Sequence, residues 1–264
     1  MKMSKLHLPF SFRRRFSAKN HDEKRNFNAI INKNTPFTIK EAYKTLRTNI
    51  LFATRAKGCK KYVITSSVPG EGKTTNAINL AISFAQTEKR VLLVDSDLRK
   101  PRIHRYFKLD NKVGLSNYLS DIFEEETAKI FVQKTEYENL DVVTSGHIPP
   151  NPIELLASDG MKNFIKETEE KYDFIIFDTP PINIVSDALV LSELVTGYIV
   201  VARCKYTEYV SVKYSLSKFE LANIKPLGVI LNSYSTKNSS YSYRSKYKYG
   251  YDRYYYSYRN TEED

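Results

Sequence analysis

Apolar and polar positions follow two patterns along the chain, short apolar runs and spacings of three and four residues. The runs predict buried strands at 61–65, 91–95, 140–144, 173–178, 198–203 and 227–232. The spacings predict helices at 38–55, 73–87, 152–158, 160–171, 185–194 and 207–222. Strands that alternate with helices favour an α/β fold, with a mostly parallel sheet and helices on both faces. The stretch 102–139 is ambiguous and has short helix character only near 114–119.

The two ends of the chain lack this core-forming pattern. From Asn232 onward there is no Leu, Ile, Val, Phe or Met. Such a segment cannot offset the roughly 1–2 kcal/mol of backbone entropy that each ordered residue costs, so we expect 233–264 to be disordered. Residues 1–35 hold nine Lys or Arg against two acidic residues and predict a basic, flexible extension. A single folded domain at 36–232 is therefore expected between the two extensions.

Charge and cysteine content narrow the class of protein. The net charge is +11, and such a basic N-terminal extension is usually just solvated. Three phenylalanines among its arginines favour an anionic membrane surface over nucleic acid as a partner. No run of 18 apolar residues and no secretory signal is visible, and the two cysteines, Cys59 and Cys204, have neither zinc-site nor disulfide spacing. We therefore expect a cytoplasmic protein.

A phosphate-binding loop is predicted between the strand at 61–65 and the helix at 73–87. Gly70 and Gly72 let backbone N–H groups approach phosphate oxygens, Lys73 reaches the β- and γ-phosphates, and the Thr74 hydroxyl is placed for Mg²⁺. Ser67 stands where the pattern has its first glycine, and a small residue can still make that turn. The residues expected to bind nucleotide are Ser67, Val68, Pro69, Gly70, Glu71, Gly72, Lys73, Thr74 and Thr75.

Acidic residues follow two of the predicted strands. Asp95 and Asp97 end the strand at 91–95, and Asp178 ends the strand at 173–178. In a parallel sheet this edge also carries the phosphate loop, so the three carboxylates should converge on the same nucleotide. Taken singly, each aspartate is more readily explained as the N-cap of the next helix.

A cluster of tyrosines occupies the C-terminal segment. Nine tyrosines lie between residues 241 and 258, among Ser, Lys and Arg. On composition alone, the cluster fits an adhesive low-complexity segment as well as a set of phosphate acceptors. The phosphate loop favours the second interpretation, with Tyr241, Tyr243, Tyr247, Tyr249, Tyr251, Tyr254, Tyr255, Tyr256 and Tyr258 as acceptors.

In combination, these motifs resemble the bacterial protein-tyrosine kinases of capsular and exopolysaccharide biosynthesis, of the cytoplasmic CpsD/CapB-like type. The resemblance covers about 36–232 and the tyrosine cluster, and it includes the stretches 98–102, 145–156 and 178–181. It implies a P-loop NTPase fold of the MinD/ParA kind, with ATP and Mg²⁺ as cofactors. It also implies that Asp97 and Asp178 hold Mg²⁺ with Thr74. We expect Lys73, Asp95 and Asp97 to be catalytic, with Asp95 as the base for the tyrosyl proton.

The predicted helix 38–55 carries a further motif of the family. Thr38 and Glu41 have the spacing of a capping box, and Glu41, Lys44 and Arg47 recur every three residues. The plain interpretation is a solvated helix with a weak ion pair. The resemblance implies that these three residues join neighbouring subunits into a ring. Lys44 replaces an arginine of the motif and cannot form a bidentate fork with a carboxylate, which would weaken the ring.

The sequence therefore predicts an ATP-dependent tyrosine kinase that phosphorylates its own C-terminal tyrosines, mainly between subunits, and regulates polysaccharide synthesis and export. The alternative is a ParA/MinD-like regulatory ATPase without kinase activity. Its relatives carry a second lysine early in the loop, where this chain has Val68. The resemblance implies a transmembrane adaptor of the polysaccharide co-polymerase type, a cognate tyrosine phosphatase and recruitment to the inner face of the plasma membrane. Nucleic acid is not an expected partner.

Overall fold

A seven-stranded β-sheet lies at the centre of the computed structural model, which describes residues 29–54, 57–120 and 132–234. The strand order is β3-β4-β2-β5-β1-β6-β7, and neighbouring strands are parallel except β3 and β4. The strands are β1 Lys60–Ser66, β2 Val91–Asp95, β3 Val132–Lys134, β4 Leu140–Val143, β5 Phe174–Asp178, β6 Gly197–Arg203 and β7 Gly228–Asn232.

Helices cover both faces of the sheet. The first core contains side chains of α1 and α2, and the second contains side chains of α4 to α7. Alternate residues of β1 enter opposite cores, with Tyr62 and Ile64 in the first and Val63 in the second. The predicted fold class is thereby confirmed. The helices are α1 Phe37–Ala53, α2 Lys73–Ala85, α3 Ile103–Phe107, α4 Leu115–Leu119, α5 Pro152–Leu156, α6 Asp159–Glu169 and α7 Tyr209–Leu221.

The chain upstream of α1 packs onto the first core. Ile30 and Ile31 are buried, and the side chain of Asn79 on α2 forms two hydrogen bonds with this segment. Its Oδ1 accepts from the amide of Ile31 at 2.8 Å, and its Nδ2 donates to the carbonyl of Ala29 at 2.8 Å. The ordered packing therefore begins upstream of residue 36, where sequence analysis placed the domain boundary. The N-terminal 28 residues and 235–264, with all nine tyrosines predicted to be acceptors, lie outside the described residues.

The predicted helix at 185–194 is wrong. The structure has turns there and one short 3₁₀ helix, Leu189–Leu191. The carbonyl of Ala188, which would accept the amide of residue 192 in an α-helix, accepts the buried hydroxyl of Tyr198 at 2.8 Å. The amide of Ser192 bonds instead to the carbonyl of Leu189. The apolar spacing that suggested a helix reflects packing of this turn against the sheet.

The predicted capping box at the start of α1 is also not formed. The helix begins one residue early, at Phe37, with Pro36 as its N-cap and no side-chain hydrogen bond there. The carbonyl of Pro36 accepts the amides of Ile39 and Lys40, so the first turn closes on the backbone. Thr38 is therefore inside the helix, where its hydroxyl cannot cap it.

We predict that Asn79→Ala lowers the free energy of unfolding by about 1–3 kcal/mol, because it leaves a buried amide and carbonyl without partners. Urea denaturation of the full chain measures the change. Asn163→Ala, on the exposed side of α6, is the matched control and should stay within about 0.5 kcal/mol of the parent. Equal stability of the Asn79 variant and the parent would show that the upstream segment does not depend on α2.

Candidate active site

The loop between β1 and α2 has the backbone shape that a phosphate site needs. Gly70 and Gly72 have φ values of 87° and 91°, in the left-handed region that side chains disfavour. A Cβ on Gly72 would lie 2.2 Å from Nδ2 of Asn232, which itself donates to the carbonyl of Glu71 at 2.8 Å. Ser67 is fully buried with a negative φ, and its hydroxyl accepts from Ser215 at 2.8 Å. A serine is therefore accommodated at the first position of the loop.

Side chains at the end of β6 and directly after it hold this loop from outside. Arg203 donates to the carbonyl of Gly70 at 3.2 Å, and the Tyr206 hydroxyl donates to that of Pro69 at 3.0 Å. Glu71 is fully buried and accepts from the hydroxyl of Thr207. Sequence reasoning did not single out these residues of β6 and the turn after it. The signal available was their position, because they end or follow a strand that ends at the same sheet edge as the loop.

Glu71 and Val68 brace the loop from within. The second carboxylate oxygen of Glu71 accepts the amide of Val68 at 2.8 Å, and the carbonyl of Val68 accepts the hydroxyl of Ser66 at 3.0 Å. Val68 thus contributes backbone groups to the loop and brings no second cation to the phosphates.

The acidic strand ends converge next to the loop, as their positions suggested. Strand register pairs Asp95 with Asp178, on neighbouring strands β2 and β5. The Lys73 ammonium lies 2.9 Å from Oδ2 of Asp97, 3.4 Å from Oδ1 of Asp178 and 3.5 Å from the hydroxyl of Thr74. All five side chains sit at the carboxyl edge of the parallel strands, where ligands of this fold class bind.

Burial and neighbouring charge set the protonation of this cluster. Asp95 is fully buried, and desolvation, followed by the charge of Asp178, raises its pKa to about 7. Desolvation also raises the pKa of Asp178, although Lys73 opposes it. Burial by itself would lower the pKa of Lys73, but Asp178 and Asp97 outweigh it and the pKa is raised. At neutral pH the lysine is therefore charged, while Asp95 is only partly ionised.

Asp95 also anchors the loop that follows it. Its Oδ2 accepts the amides of Arg102 and Ile103 at 3.0 and 2.9 Å, at the start of α3. Asp95 is not the N-cap residue of α3, which is Arg102, but its side chain accepts two amides at the start of that helix, and this contact is compatible with a chemical role. Its Oδ1 is buried without a hydrogen-bond partner among the described residues. Asp97 similarly uses Oδ1 to accept the amide of Lys100 at 3.0 Å, which leaves Oδ2 for Lys73.

An ion pair that sequence reasoning missed holds the same loop from the other side. The guanidinium of Arg99 makes two hydrogen bonds to Asp187, Nε to Oδ2 at 2.8 Å and Nη2 to Oδ1 at 3.1 Å. Asp187 is fully buried, and this contact raises the pKa of Arg99. Asp187 lies in the segment wrongly predicted as helix, so no sequence pattern connected it to Arg99.

The side chains fit a magnesium ion that arrives with a nucleotide. Thr74, Asp97 and Asp178 offer oxygen ligands, which Mg²⁺ prefers, and Asp178 also accepts a hydrogen bond from Thr74. Within the described ranges no three His, Cys, Asp or Glu side chains converge as a metal-only site. That agrees with an ion held by one or two carboxylates, phosphate oxygens and water.

The structure separates the three residues expected at a subunit contact. Glu41 and Lys44 on α1 form an ion pair at 2.7 Å, as the plain interpretation predicts. Arg47 instead donates to the carbonyl of Ser83 on α2 and lies 3.3 Å from its hydroxyl. Burial, the largest influence, lowers the pKa of Arg47. The contact of Arg47 within its own chain has no bearing on whether Glu41 and Lys44 meet a neighbour.

Comparisons with known proteins agree with this geometry. A family model described as an AAA domain matches residues 60–220. Tyrosine-protein kinase YwqD of Bacillus subtilis is 45% identical over 77% of this chain and 85% of its own length. A putative tyrosine-protein kinase, CapB of Staphylococcus aureus, is 38% identical over 78% of this chain and 90% of its own length.

Two solved structures illustrate the similarity in three dimensions. The kinase domain of Escherichia coli tyrosine kinase ETK superposes with a TM-score of 0.70 at 34% identity, covering 81% of this chain and 87% of that domain. The septum site-determining protein MinD of Pyrococcus horikoshii, complexed with Mg-ADP, has a TM-score of 0.56 at 24% identity, covering 67% and 71%. The second likeness shows the fold alone.

We predict that Gly72→Ala weakens nucleotide binding by at least about tenfold, because the new Cβ strains the left-handed backbone and collides with Asn232. Fluorescence titration with a labelled ATP analogue measures the affinity. The control is Gly228→Ala on β7, where nothing lies within 4 Å of an added Cβ. Unchanged affinity in the Gly72 variant would contradict a phosphate site at this loop.

A second prediction concerns the buried carboxyl of Asp95. Its pKa is raised from 3.8 to about 7, so the folded state holds a proton that the unfolded chain releases, and stability falls as pH rises through that window. Asp95→Asn removes this loss. Relative to the parent, the nucleotide-free variant should therefore gain stability from about pH 4 to about pH 7 and no more above it.

Urea denaturation across this range measures the difference. Asp159→Asn is the control, since Lys162 lowers the pKa of exposed Asp159 and the pH trend should not have the same sign. A flat difference for Asp95→Asn would mean that Asp95 titrates normally.

Proposed function

The chain belongs to the family of bacterial protein-tyrosine kinases, and from that premise we propose that it phosphorylates its own C-terminal tyrosines, mainly between subunits. One observation carries the proposal. Lys73, Thr74, Asp97 and Asp178 converge at the mouth of a phosphate loop, beside the buried carboxyl of Asp95. This set contains the groups that phosphoryl transfer requires, which are phosphate binders, oxygen ligands for Mg²⁺ and a proton acceptor.

When a nucleotide binds, its phosphates replace the carboxylates of Asp97 and Asp178 as the partners of the Lys73 ammonium group. The ammonium group is paired with Asp97 and Asp178. On binding of ATP, Lys73 turns toward the β- and γ-phosphates, and the amides of residues 67–75 donate to phosphate oxygens. Mg²⁺ supplies positive charge that neutralises the phosphates and the leaving group, and Thr74, Asp97 and Asp178 are the residues that would hold it. The two carboxylates released by Lys73 thus have a cation to bind.

Transfer to tyrosine needs one proton acceptor, and Asp95 is the residue proposed. The phenol oxygen forms a bond to the γ-phosphorus, the bond from that phosphorus to the β–γ bridging oxygen breaks, ADP leaves, and the phenol proton passes to Asp95. A pKa near 7 brings the carboxyl closer to a phenol of about 10 than an ordinary aspartate would be. The loose transition state also demands little basicity from the acceptor.

The tyrosine cluster is the proposed acceptor because of its composition and its place in the sequence. It follows β7, whose last residue, Asn232, contacts the phosphate loop. For a chain with random-coil statistics, the 26 residues from 232 to 258 span roughly 25–30 Å, enough to enter a neighbouring subunit. Each phosphate adds about −1.5 to −2 charges, so full modification would make neighbouring segments repel one another and dissolve the assembly.

The setting of the enzyme is proposed from the family. A ring of subunits would use Glu41, Lys44 and Arg47 on α1. The kinase domain would be 36–232 together with the packed segment 29–35, between a basic N-terminal extension and the acceptor segment. Activation by a transmembrane adaptor of the polysaccharide co-polymerase type would place the kinase at the inner face of the plasma membrane. A tyrosine phosphatase would reset it, and capsular or exopolysaccharide synthesis would be the regulated process. In the part of the chain that the structure describes, no helix is long and apolar enough to cross a membrane.

A mixing experiment tests transfer between subunits. Lys73→Met protein with its natural tyrosines is combined with active protein in which all nine are Phe. We expect phosphotyrosine on the Lys73→Met chain, because its acceptors can use the neighbour's intact site. Anti-phosphotyrosine blotting measures the transfer, and light scattering follows particle mass.

Each protein incubated alone with ATP is the control, and both are made in a host without a related kinase. An unlabelled Lys73→Met chain in the mixture would contradict transfer between subunits. An unchanged particle mass after full phosphorylation of the parent would contradict disassembly.

A further inference from the structure

A basic cavity of about 560 Å³ lies directly beside the candidate active site. One wall is formed by the loop after β2 and by α3, and it carries Arg99, Lys100, Arg102 and Arg105. The opposite wall is the turn Gly146 to Ile148. The mechanism proposed above uses none of these side chains.

Positive charge dominates this cavity. Asp187 pairs with Arg99, but within residues 29–54, 57–120 and 132–234 no ion pair joins Lys100 or Arg102 to a carboxylate. No Asp or Glu is among the described residues that line the cavity. Lys100 and Arg102, two cations without a described carboxylate partner on one wall, favour an anionic ligand, and a guanidinium group suits phosphate because it can donate two hydrogen bonds to it.

The opposite wall carries one apolar side chain, Ile148, beside His147, and is held in place. Ile148 lines the cavity and is 63% exposed, and Pro101 also lines it. Asn111 fixes the turn by donating to the carbonyl of Gly146 at 2.9 Å and accepting its amide at 3.2 Å. The cavity thus offers both cations for a phosphate and a fixed apolar surface for a ring.

The basic wall shares its backbone with the catalytic carboxylates. The amide of Lys100 donates to Asp97 and the amide of Arg102 donates to Asp95, both at 3.0 Å. The main chain of this loop therefore contacts the catalytic side, while its side chains line the cavity. A group bound in the cavity would therefore lie next to the site of phosphoryl transfer, because the same loop contacts Asp95 and Asp97.

We propose that this cavity binds a phosphotyrosine side chain, the product of the reaction, on the acceptor segment of a neighbouring copy. The inference rests on the proposed function, in that the acceptor must be this chain's tyrosine cluster. A segment held by its first phosphotyrosine keeps its other tyrosines at the active site, so several transfers follow one encounter.

Charge makes the cavity selective for the modified segment. Residues 241–258, which hold the tyrosine cluster, contain four Lys or Arg and a single Asp, so the unmodified cluster is repelled by a basic cavity. Each phosphate brings about −1.5 to −2 charges together with three acceptor oxygens. Phosphorylation thus turns repulsion into attraction at the position that has just reacted.

Peptide binding provides the direct test. The protein is the full chain with Phe at all nine acceptor positions, and the probe is a fluorescent peptide of residues 241–258 phosphorylated on Tyr251. We expect it to bind at least about tenfold more tightly than the unphosphorylated peptide. Lys100→Gln with Arg102→Gln, both exposed positions, should remove most of this difference.

Lys166→Gln with Lys225→Gln removes the same charge outside the cavity and should leave the affinity within about twofold. Equal losses in the two double variants would overturn the site, since general attraction would then explain binding. Equal binding of a peptide with phosphoserine at position 251 would overturn the role of Ile148 and Pro101 as a ring surface.

Intact-mass spectrometry tests the consequence. Parent kinase and the Lys100/Arg102 variant each phosphorylate the Lys73→Met chain, and the products are compared at the same average number of phosphates. The parent should give chains with several phosphates beside unmodified chains, and the variant should give mostly singly modified chains. Identical distributions would overturn retention of the product.

The two proposals can fail separately. Because the probe is synthetic, peptide binding does not depend on catalysis. Phosphorylation of the Lys73→Met chain without phosphopeptide binding removes only the cavity proposal. Phosphopeptide binding without any transfer to tyrosine removes the proposed function.

Discussion

The contact of Lys73 with Asp97 and Asp178 is the constraint around which the rest of the site is arranged. Three carboxylates lie buried at one sheet edge, and burying an uncompensated charge costs several kcal/mol. One ammonium group, at 2.9 and 3.4 Å, compensates two of them. The third, Asp95, has backbone amides on one oxygen and a raised pKa. The site can therefore remain folded before a nucleotide brings its own charges.

In the site without nucleotide, Lys73 occupies the same carboxylates that would bind Mg²⁺, so the lysine and the metal compete for them. Lys73 is held by the carboxylates that would take Mg²⁺, so phosphate and metal must enter together to leave every charge paired. A nucleotide without metal would remove the lysine from Asp97 and Asp178 and leave them uncompensated. The same reasoning explains why no metal-only cluster is needed among the described residues. A magnesium ion bound here would be retained by the substrate as much as by the protein.

Sequence predicted those parts of the molecule whose signals are local. Strands such as Val91–Asp95 were found to within a residue or two because strands buried on both faces are nearly continuous apolar runs. Lys73, Asp97 and Asp178 were found because fold topology brings the carboxyl ends of parallel strands together. The convergence of these three residues could thus be predicted from the order of strands and helices along the chain.

Long-range contacts between loops were not predictable in this way. The pair of Arg99 and Asp187 spans 88 positions, and Asn79 reaches Ile31 across 48. The segment predicted as a helix forms turns, and one carbonyl that a helix would need accepts the hydroxyl of Tyr198. The apolar periodicity of a segment carries no information about such a bond. A side chain that bonds to the backbone of a distant element does not produce a recognisable pattern in the sequence around it.

The same kind of contact connects α1 to the phosphate loop. The hydroxyl of Tyr43 donates to Asn76 at 3.0 Å, and Asn76 donates to the carbonyl of Gly72 at 2.9 Å. Arg47 holds the other end of α2 through Ser83. Because α1 is thus bonded to both ends of the helix that begins with Lys73, displacing α1 would strain the loop geometry directly. A subunit contact on the outer surface of α1 would act on a helix already joined to the phosphate site, and assembly and nucleotide binding would then share one rigid element.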